Sequence, residues 1–74
     1  MANFNDRLRE IMKEKKISQK ALAEKLCITQ PAISKWITGD REPNLDFLKK
    51  LCYYLDEDPA YLLGYDPAEY DDVK

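Results

Sequence analysis

A chain of 74 residues can form one small domain, near the lower size limit for a core without disulfides or a structural metal. With two cysteines and no histidine, neither a disulfide scaffold nor a zinc site is expected, and no apolar run is long enough to span a membrane. The net charge of −2 is unevenly distributed: residues 1–50 carry 11 basic and 7 acidic side chains, whereas residues 51–74 carry 1 and 7. Since local potential governs contact with phosphates, the basic part can still meet an anion that the whole chain would repel.

The first predicted helix is capped by Asn5 or Asn3 and runs to about Lys15. Its apolar residues recur at helical spacing, which predicts one buried face. The residues of that face are Leu8, Ile11 and Met12.

Residues 18–38 predict two short helices joined by a tight turn. Ser18 is the expected N-cap of the second helix and Thr29 that of the third, where Pro31 lies in the first turn at no cost in hydrogen bonds. Gly39 is a natural residue to end the third helix. The apolar residues of the two helices are Leu22, Leu26, Ile33, Trp36 and Ile37, with the small Ala21 and Ala23 beside the first two. Two helices that cross steeply around such a turn make a helix-turn-helix.

Two further helices are predicted after the helix-turn-helix. Asn44 caps a fourth helix that ends at about Leu55, and Asp58 caps a short fifth helix from Pro59 that is ended by Gly64. The apolar stripe of the fourth helix is Leu45, Leu48, Leu51, Cys52 and Leu55. No strand pattern is present, so the chain is predicted to be all-α. The domain is expected over residues 1–66, and the acidic segment 67–74 is expected to be partly disordered.

The face of the third helix opposite its apolar stripe carries Gln30, Pro31, Ser34 and Lys35. A helix with such a face can enter a major groove and meet base edges, which makes DNA binding the leading hypothesis. Gln30 can pair with adenine, and Lys35 can reach guanine or a phosphate. Ser34 is a weaker polar contact, and Pro31 either touches a thymine methyl group or only starts the helix. Trp36 is expected in the core rather than stacked on DNA.

Other side chains are expected to position the protein on the DNA backbone rather than to specify bases. Gln19 stands at the start of the second helix, where backbone N–H groups favour an anion. Thr29 is expected to act first as a helix cap and only then as a DNA contact. The residues expected at the backbone are Gln19, Lys20, Thr29, Thr38 and Arg41.

The chain resembles the phage repressor and Cro-like (XRE-type) family of helix-turn-helix transcriptional regulators over roughly residues 5–66. The residues that carry the resemblance are Gln19, Leu22, Ala23, Leu26, Ile28, Ile33, Trp36, Gly39, Arg41, Pro43, Asn44 and the segment YLLGYD at 61–66. The resemblance implies a five-helix, lambda-repressor-like DNA-binding domain with the helix-turn-helix at helices 2 and 3. It also implies sequence-specific binding to a double-stranded DNA operator by a transcriptional repressor.

One turn position departs from the family pattern. Cys27 stands where the family usually has glycine, because the backbone there tends toward a left-handed conformation. That conformation costs a non-glycine residue on the order of 1 kcal/mol. Cys27 is either a plain turn residue or a redox-sensing thiol, and both Cys27 and Cys52 are expected at half-buried positions.

A single recognition helix contacts few base pairs, so proteins of this type bind as two-fold dimers to half-sites about 34 Å apart. Aromatic residues, which are enriched at interfaces, mark the C-terminal part as the candidate homodimer surface. Its residues are Tyr53, Tyr54, Tyr61, Leu62, Leu63, Tyr65 and Tyr70. The alternative for Tyr61 and Leu62 is that they fill the core between helices four and five.

The absence of histidine and of a Gly-rich phosphate loop argues against an enzyme, and no cofactor or small-molecule ligand is expected. The opening MANFNDRLRE lacks the apolar segment of a secretory signal, so a cytoplasmic bacterial or phage protein with reduced thiols is expected. The chain is either a whole small protein or the N-terminal domain of a longer repressor. The alternative function is a protein-interaction module of the antitoxin or anti-repressor type, in which the acidic tail binds another protein.

Overall fold

Five helices and no strand make up residues 3–65, the part of the chain that the computed structural model describes, and the predicted all-α fold is thereby confirmed. The helices are α1 (Phe4–Lys15), α2 (Gln19–Leu26), α3 (Gln30–Thr38), α4 (Leu45–Leu55) and α5 (Pro59–Leu62). Within residues 3–65, none of the helices has the length and apolar character needed to cross a bilayer. The predicted acidic tail, 67–74, and Tyr70 of the predicted dimer surface lie outside the described residues.

Four of the five helices begin with a side-chain cap, in which a side-chain oxygen accepts a bond from a backbone N–H of the first turn. The caps are Asn3 (from Asp6, 3.2 Å), Ser18 (from Ala21, 3.0 Å), Asn44 (from Phe47, 2.9 Å) and Asp58 (from Ala60, 2.9 Å). Of the two caps considered for α1, the structure therefore uses Asn3.

The side chain of Thr29 does not cap α3, so that expectation is wrong. Thr29 has the extended backbone of an N-cap, but its hydroxyl accepts no capping bond. An N-cap side chain normally accepts from the backbone N–H of the second or third residue of the helix, which here are Pro31 and Ala32. Pro31 has no N–H, and the N–H of Ala32 donates to the backbone carbonyl of Thr29 at 3.1 Å.

Three helices end on a left-handed residue that is not glycine: Lys16 (φ 57°), Cys27 (φ 58°) and Asp56 (φ 54°). At each end the next residue donates its N–H to a carbonyl five positions earlier, as in a Schellman motif. Those bonds join Ile17 to Met12 (2.9 Å), Ile28 to Ala23 (3.0 Å) and Glu57 to Cys52 (3.0 Å). The left-handed backbone predicted at Cys27 is thus confirmed, and it recurs at two other helix ends.

The core is a cluster to which all five helices contribute. Its buried residues are Phe4, Leu8, Ile11, Met12, Leu22, Ala23, Leu26, Ile33, Trp36, Leu48, Leu51, Cys52, Leu55 and Leu62. The predicted inner face of α1 and the core position of Trp36 are confirmed, whereas burial of Phe4 was not anticipated. The Trp36 ring packs at a tilt against that of Phe47, with ring centroids 5.9 Å apart.

Two predictions about burial, those for Leu45 and for the two cysteines, are wrong, and of the two alternatives for Tyr61 the core position is contradicted. Leu45 is 78% exposed, because it begins α4 on the side away from the core, whereas Phe47 and Leu48 of the same turn pack against the core. Tyr61 is 41% exposed. The single turn of α5 directs only one of these two adjacent side chains into the core, and that side chain is Leu62. The two cysteines are not half-buried: Cys27 projects from a surface turn, whereas Cys52 is on the inner face of α4.

Candidate nucleic-acid interface

One side of the molecule combines the start of α2 with the outward face of α3. Five residues line an open depression of about 520 Å³ there: Gln19, Gln30, Pro31, Ser34 and Lys35. We call these five residues the α2–α3 surface. The four α3 residues predicted to meet base edges are therefore brought together, and Gln19, predicted to meet the backbone, joins them.

The orientation of α3 is fixed by the residues that it buries. Ile33 is fully buried and Trp36 is 5% exposed, so their neighbours Ser34 and Lys35 are turned toward the other side of the helix. The inner face of α3 packs on α2, where Ala23 is buried. A small buried residue on a helix lets its neighbours approach closely, and the packing of α2 on α3 fixes how the two helices present the α2–α3 surface.

The N-terminus of α2 faces the same depression through Gln19. Ser18 caps the helix by accepting from the N–H of Ala21. The first backbone N–H groups of a helix have no partner within it, and they carry the positive end of the helix dipole. Gln19 and the exposed Lys20 therefore stand where a phosphate group is favoured.

The end of α3 is organised around the backbone carbonyl of Lys35. This oxygen accepts from the N–H of Gly39 (3.0 Å), the N–H of Arg41 (3.3 Å) and the hydroxyl of Thr38 (3.2 Å). The backbone of Arg41 is thereby held close to α3 while its side chain is exposed. The hydroxyl proton of Thr38 is already donated, so this residue is less available to a phosphate than the sequence suggested.

Arg41 lies in a cleft separate from the α2–α3 surface, of about 180 Å³, between the loop after α3 and the start of α1. Gly39, which has a φ of 88°, also borders this cleft, and a Cβ atom there would lie 3.4 Å from the side chain of Asn5. The sequence suggested Asn5 only as a cap. No sequence pattern pairs the first turn of α1 with a loop more than 30 residues later, so the presence of Asn5 in the same cleft as Arg41 could not be predicted.

The positive side chains around these surfaces form no ion pair within residues 3–65. Lys20, Lys35 and Arg41 are exposed, and none forms an ion pair with another residue of the described part. The two ion pairs among residues 3–65 are elsewhere, between Arg9 and Asp6 and between Lys15 and Glu57 (3.9 Å). The charges of Lys20, Lys35 and Arg41 are thus available to an external anion.

Comparison with known sequences places the helix-turn-helix pattern over residues 8–62. Over 60 residues the chain is 38% identical to the uncharacterized HTH-type transcriptional regulator YqaE of Bacillus subtilis (strain 168), covering 81% of this chain and 52% of that protein. Over 46 residues it is 41% identical to the HTH-type transcriptional activator BcrR of Enterococcus faecalis, covering 62% of this chain and 22% of that protein. The chain thus spans about half of the first relative and about a fifth of the second.

Solved structures show the same arrangement of helices. The P22 c2 repressor, crystallised with synthetic operator 9T in the presence of Tl⁺, superposes with a TM-score of 0.82 and 35% identity over 89% of this chain and 100% of that one. A transcriptional regulator from Listeria innocua superposes with a TM-score of 0.81 over 86% of this chain and 60% of that one. At 23% identity, the second match shows the fold alone.

The fold and the helix-turn-helix match over residues 8–62 place the chain in the class of DNA-binding transcription regulators, which are not enzymes. More narrowly, the chain belongs to the phage repressor and Cro-like (XRE-type) family of helix-turn-helix regulators.

Proposed function

We propose that this protein binds a double-stranded DNA operator sequence-specifically, with α3 in the major groove, and represses transcription as a homodimer. The observation that carries the proposal is the α2–α3 surface, which presents Gln19 and the outward residues of α3 side by side. Such a surface combines a group that grips the backbone with groups that meet base edges, the two elements of a specific DNA contact. The DNA-binding unit in this proposal is residues 1–66.

The base contacts are assigned by position along α3, since the N-terminal residues of a recognition helix contact base edges. Gln30, exposed in the first turn, pairs in bidentate fashion with adenine, and Lys35 donates to guanine. Ser34 is half-buried and supplies a shorter polar contact. Pro31 is exposed and offers apolar contact to a thymine methyl group.

The backbone contacts fall at the two ends of the helix-turn-helix. At one end, Gln19, Lys20 and the free N–H groups of α2 hold one phosphate. Thr29 adds a donor through its exposed hydroxyl. At the other end, Arg41 holds a second phosphate, and Thr38 contributes only if it releases the Lys35 carbonyl.

Dimerisation is proposed through the exposed aromatic and aliphatic residues near the C-terminus of the described part. These residues are Leu63 (56% exposed), Tyr65 (45%) and Tyr61 (41%). Tyr53 of the predicted interface is 89% exposed but lines a separate groove with residues of α2 and α4. Leu62 of the predicted interface is fully buried and therefore belongs to the core, while Tyr54 packs partly against it. A two-fold dimer would present two copies of α3 to successive major grooves.

Repression rather than activation is the proposed output. The P22 c2 repressor, seen with its synthetic operator, matches over its whole length in that structure, so the comparison extends across the complete domain. The activator BcrR matches over only 22% of its own length, so most of that protein has no counterpart in this chain.

The proposal is tested by selecting bound sites from random double-stranded DNA, together with sedimentation of the protein–DNA complex. The expected result is an enriched two-fold motif whose half-sites are about 10 base pairs, or one helical turn, apart, bound by two chains. The affinity should fall steeply with salt, since each neutralised phosphate releases about 0.9 of a counterion. No enriched motif, together with no retention on mixed-sequence DNA at low salt, would contradict the proposal and favour the protein-interaction module.

A further inference from the structure

A second depression lies between the end of α2 and the middle of α4. It has a volume of about 350 Å³, and its lining residues are Lys25, Leu26, Lys49, Lys50, Tyr53 and Tyr54. We call it the α2–α4 groove. It shares no residue with the α2–α3 surface, so DNA bound there would leave the groove uncovered.

The α2–α4 groove has a cationic rim around an aromatic wall. The ammonium of Lys25 lies 5.5 Å from the centroid of the Tyr54 ring, and both residues line the groove. The ammonium of Lys50 lies 5.4 Å from the centroid of the Phe47 ring, which is outside the lining. Among residues 3–65, no carboxylate is within ion-pair distance of Lys25, Lys49 or Lys50. Three unneutralised ammonium groups beside exposed tyrosine suit an acidic peptide that also carries an aromatic side chain.

The chain itself contains a segment of that composition. Residues 66–74, DPAEYDDVK, carry four carboxylates and one lysine, with a tyrosine at position 70. They follow directly on Tyr65, and α5 packs on α4, the helix that supplies four of the groove residues. Nine residues can extend about 30 Å. Leu63 lines one cleft with Leu48, so the chain leaves α5 beside α4, whose 11 residues span about 16 Å, roughly half of that reach.

We propose that the α2–α4 groove binds residues 66–74 of the same chain, with the carboxylates against the three lysines and Tyr70 against Tyr53. A short covalent connection gives the segment an effective concentration in the millimolar range, so individually weak surface contacts suffice. The bound segment neutralises positive charge on a side of the protein away from the α2–α3 surface. Electrostatic attraction to DNA is then concentrated on that surface. This inference stands independently of the proposed operator binding.

The test uses the full chain labelled with ¹⁵N and compares backbone amide shifts of wild type with those of a variant carrying D71N and D72N. The expected result is a set of shift differences at the α2–α4 groove, centred on Lys49, Lys50 and Tyr53, that disappears in about 0.5 M NaCl, where the Debye length is about 4 Å. A variant carrying E10Q and E14Q is the matched control, because it removes the same charge from exposed positions on α1. It should leave the groove amides unchanged. Equal effects of the two variants on the groove, or no effect of D71N and D72N there, would overturn the proposal.

A charge exchange then separates direct contact from general electrostatics. K49E should abolish the salt-sensitive groove shifts, and adding D71K and D72K to K49E should restore them. K13E, at an exposed lysine of α1, should not abolish them. Loss of the shifts in K13E, or no recovery in the exchanged variant, would overturn the contact. Shifts that grow with protein concentration would show that the segment comes from a second copy, which would overturn binding within one chain.

Discussion

Replacement of Cys27 by glycine tests the physical cost of the turn between α2 and α3. Cys27 has φ 58° and ψ 42°, a left-handed conformation that costs an L-residue about 1–2 kcal/mol. Its side chain is exposed, so the substitution removes no core packing, and both backbone bonds at this helix end involve groups that glycine retains. Glycine loses about 0.5–1 kcal/mol more backbone entropy on folding. Cys27→Gly should therefore raise the free energy of unfolding by about 0.5–1 kcal/mol.

The expected change is measurable as a rise in Tm of about 2–8 °C for a domain of this size. The assay is thermal unfolding followed by far-ultraviolet circular dichroism in the presence of a reductant, supported by urea titration. Cys27→Ala is the matched control, because it removes the thiol but keeps the left-handed strain. It should change the free energy of unfolding by less than about 0.5 kcal/mol. If alanine stabilised the protein as much as glycine, or if glycine destabilised it, the assignment of strain to this turn would be refuted.

Two further predictions concern the core. Ala23→Leu should destabilise the protein by about 1–3 kcal/mol, because Ala23 is buried where α2 packs on α3 and extra volume there forces the helices apart. Ala21→Leu, the same change at an exposed position of α2, should be nearly neutral in the same melts, and equal losses would contradict the packing. Burial, aided by the nearby charges of Asp58 and Glu57, raises the pKa of the Cys52 thiol. The thiol of the unfolded chain therefore loses its proton at lower pH than that of the folded chain, so the free energy of unfolding should fall as pH rises above about 8.5. Urea titrations between about pH 8 and 9.5 should show a smaller fall for Cys52→Ala than for wild type.

The helix boundaries could be predicted from the sequence because the signals that set them are local. Ser18, Asn44 and Asp58 cap helices through bonds to residues two or three positions away, and a sequence displays that spacing directly. Thr29 stands in the same kind of position, yet its hydroxyl is not used. Whether the hydroxyl of Thr29 caps α3 depends on which backbone N–H groups of the first turn are free to donate. The identity of the N-cap residue alone does not determine this.

The burial of a side chain was harder to predict where it depends on which other helix packs against that side chain. Leu45 fits the apolar stripe of α4 by its spacing, but its side chain points away from the core that Phe47 and Leu48 of the same turn reach. Tyr61 is held outward, where the guanidinium of Arg7 stacks 4.2 Å from the centroid of its ring. Both outcomes depend on how whole helices pack, which the periodicity of one helix does not determine.

The outward face of α3 was the most predictable part of the candidate site. The spacing of Ile33 and Trp36 fixes which side is buried, so the opposite side follows from helical geometry. The separation of Arg41 from this face, and the donation of the Thr38 hydroxyl to Lys35, depend on the path of the loop after α3. Those details required the structure.

Recognition of bases by the outward face of α3 is measured most directly by the base preference of Gln30→Ala on the selected operator. Each position of one half-site is replaced in turn, and the affinities of wild type, Gln30→Ala and the control Lys13→Ala are compared at one salt concentration. We predict that Gln30→Ala loses about 1–3 kcal/mol and its base preference at a single position per half-site. Lys13→Ala, which changes an exposed residue of α1, should keep every preference. An unchanged preference profile for Gln30→Ala would contradict recognition by α3.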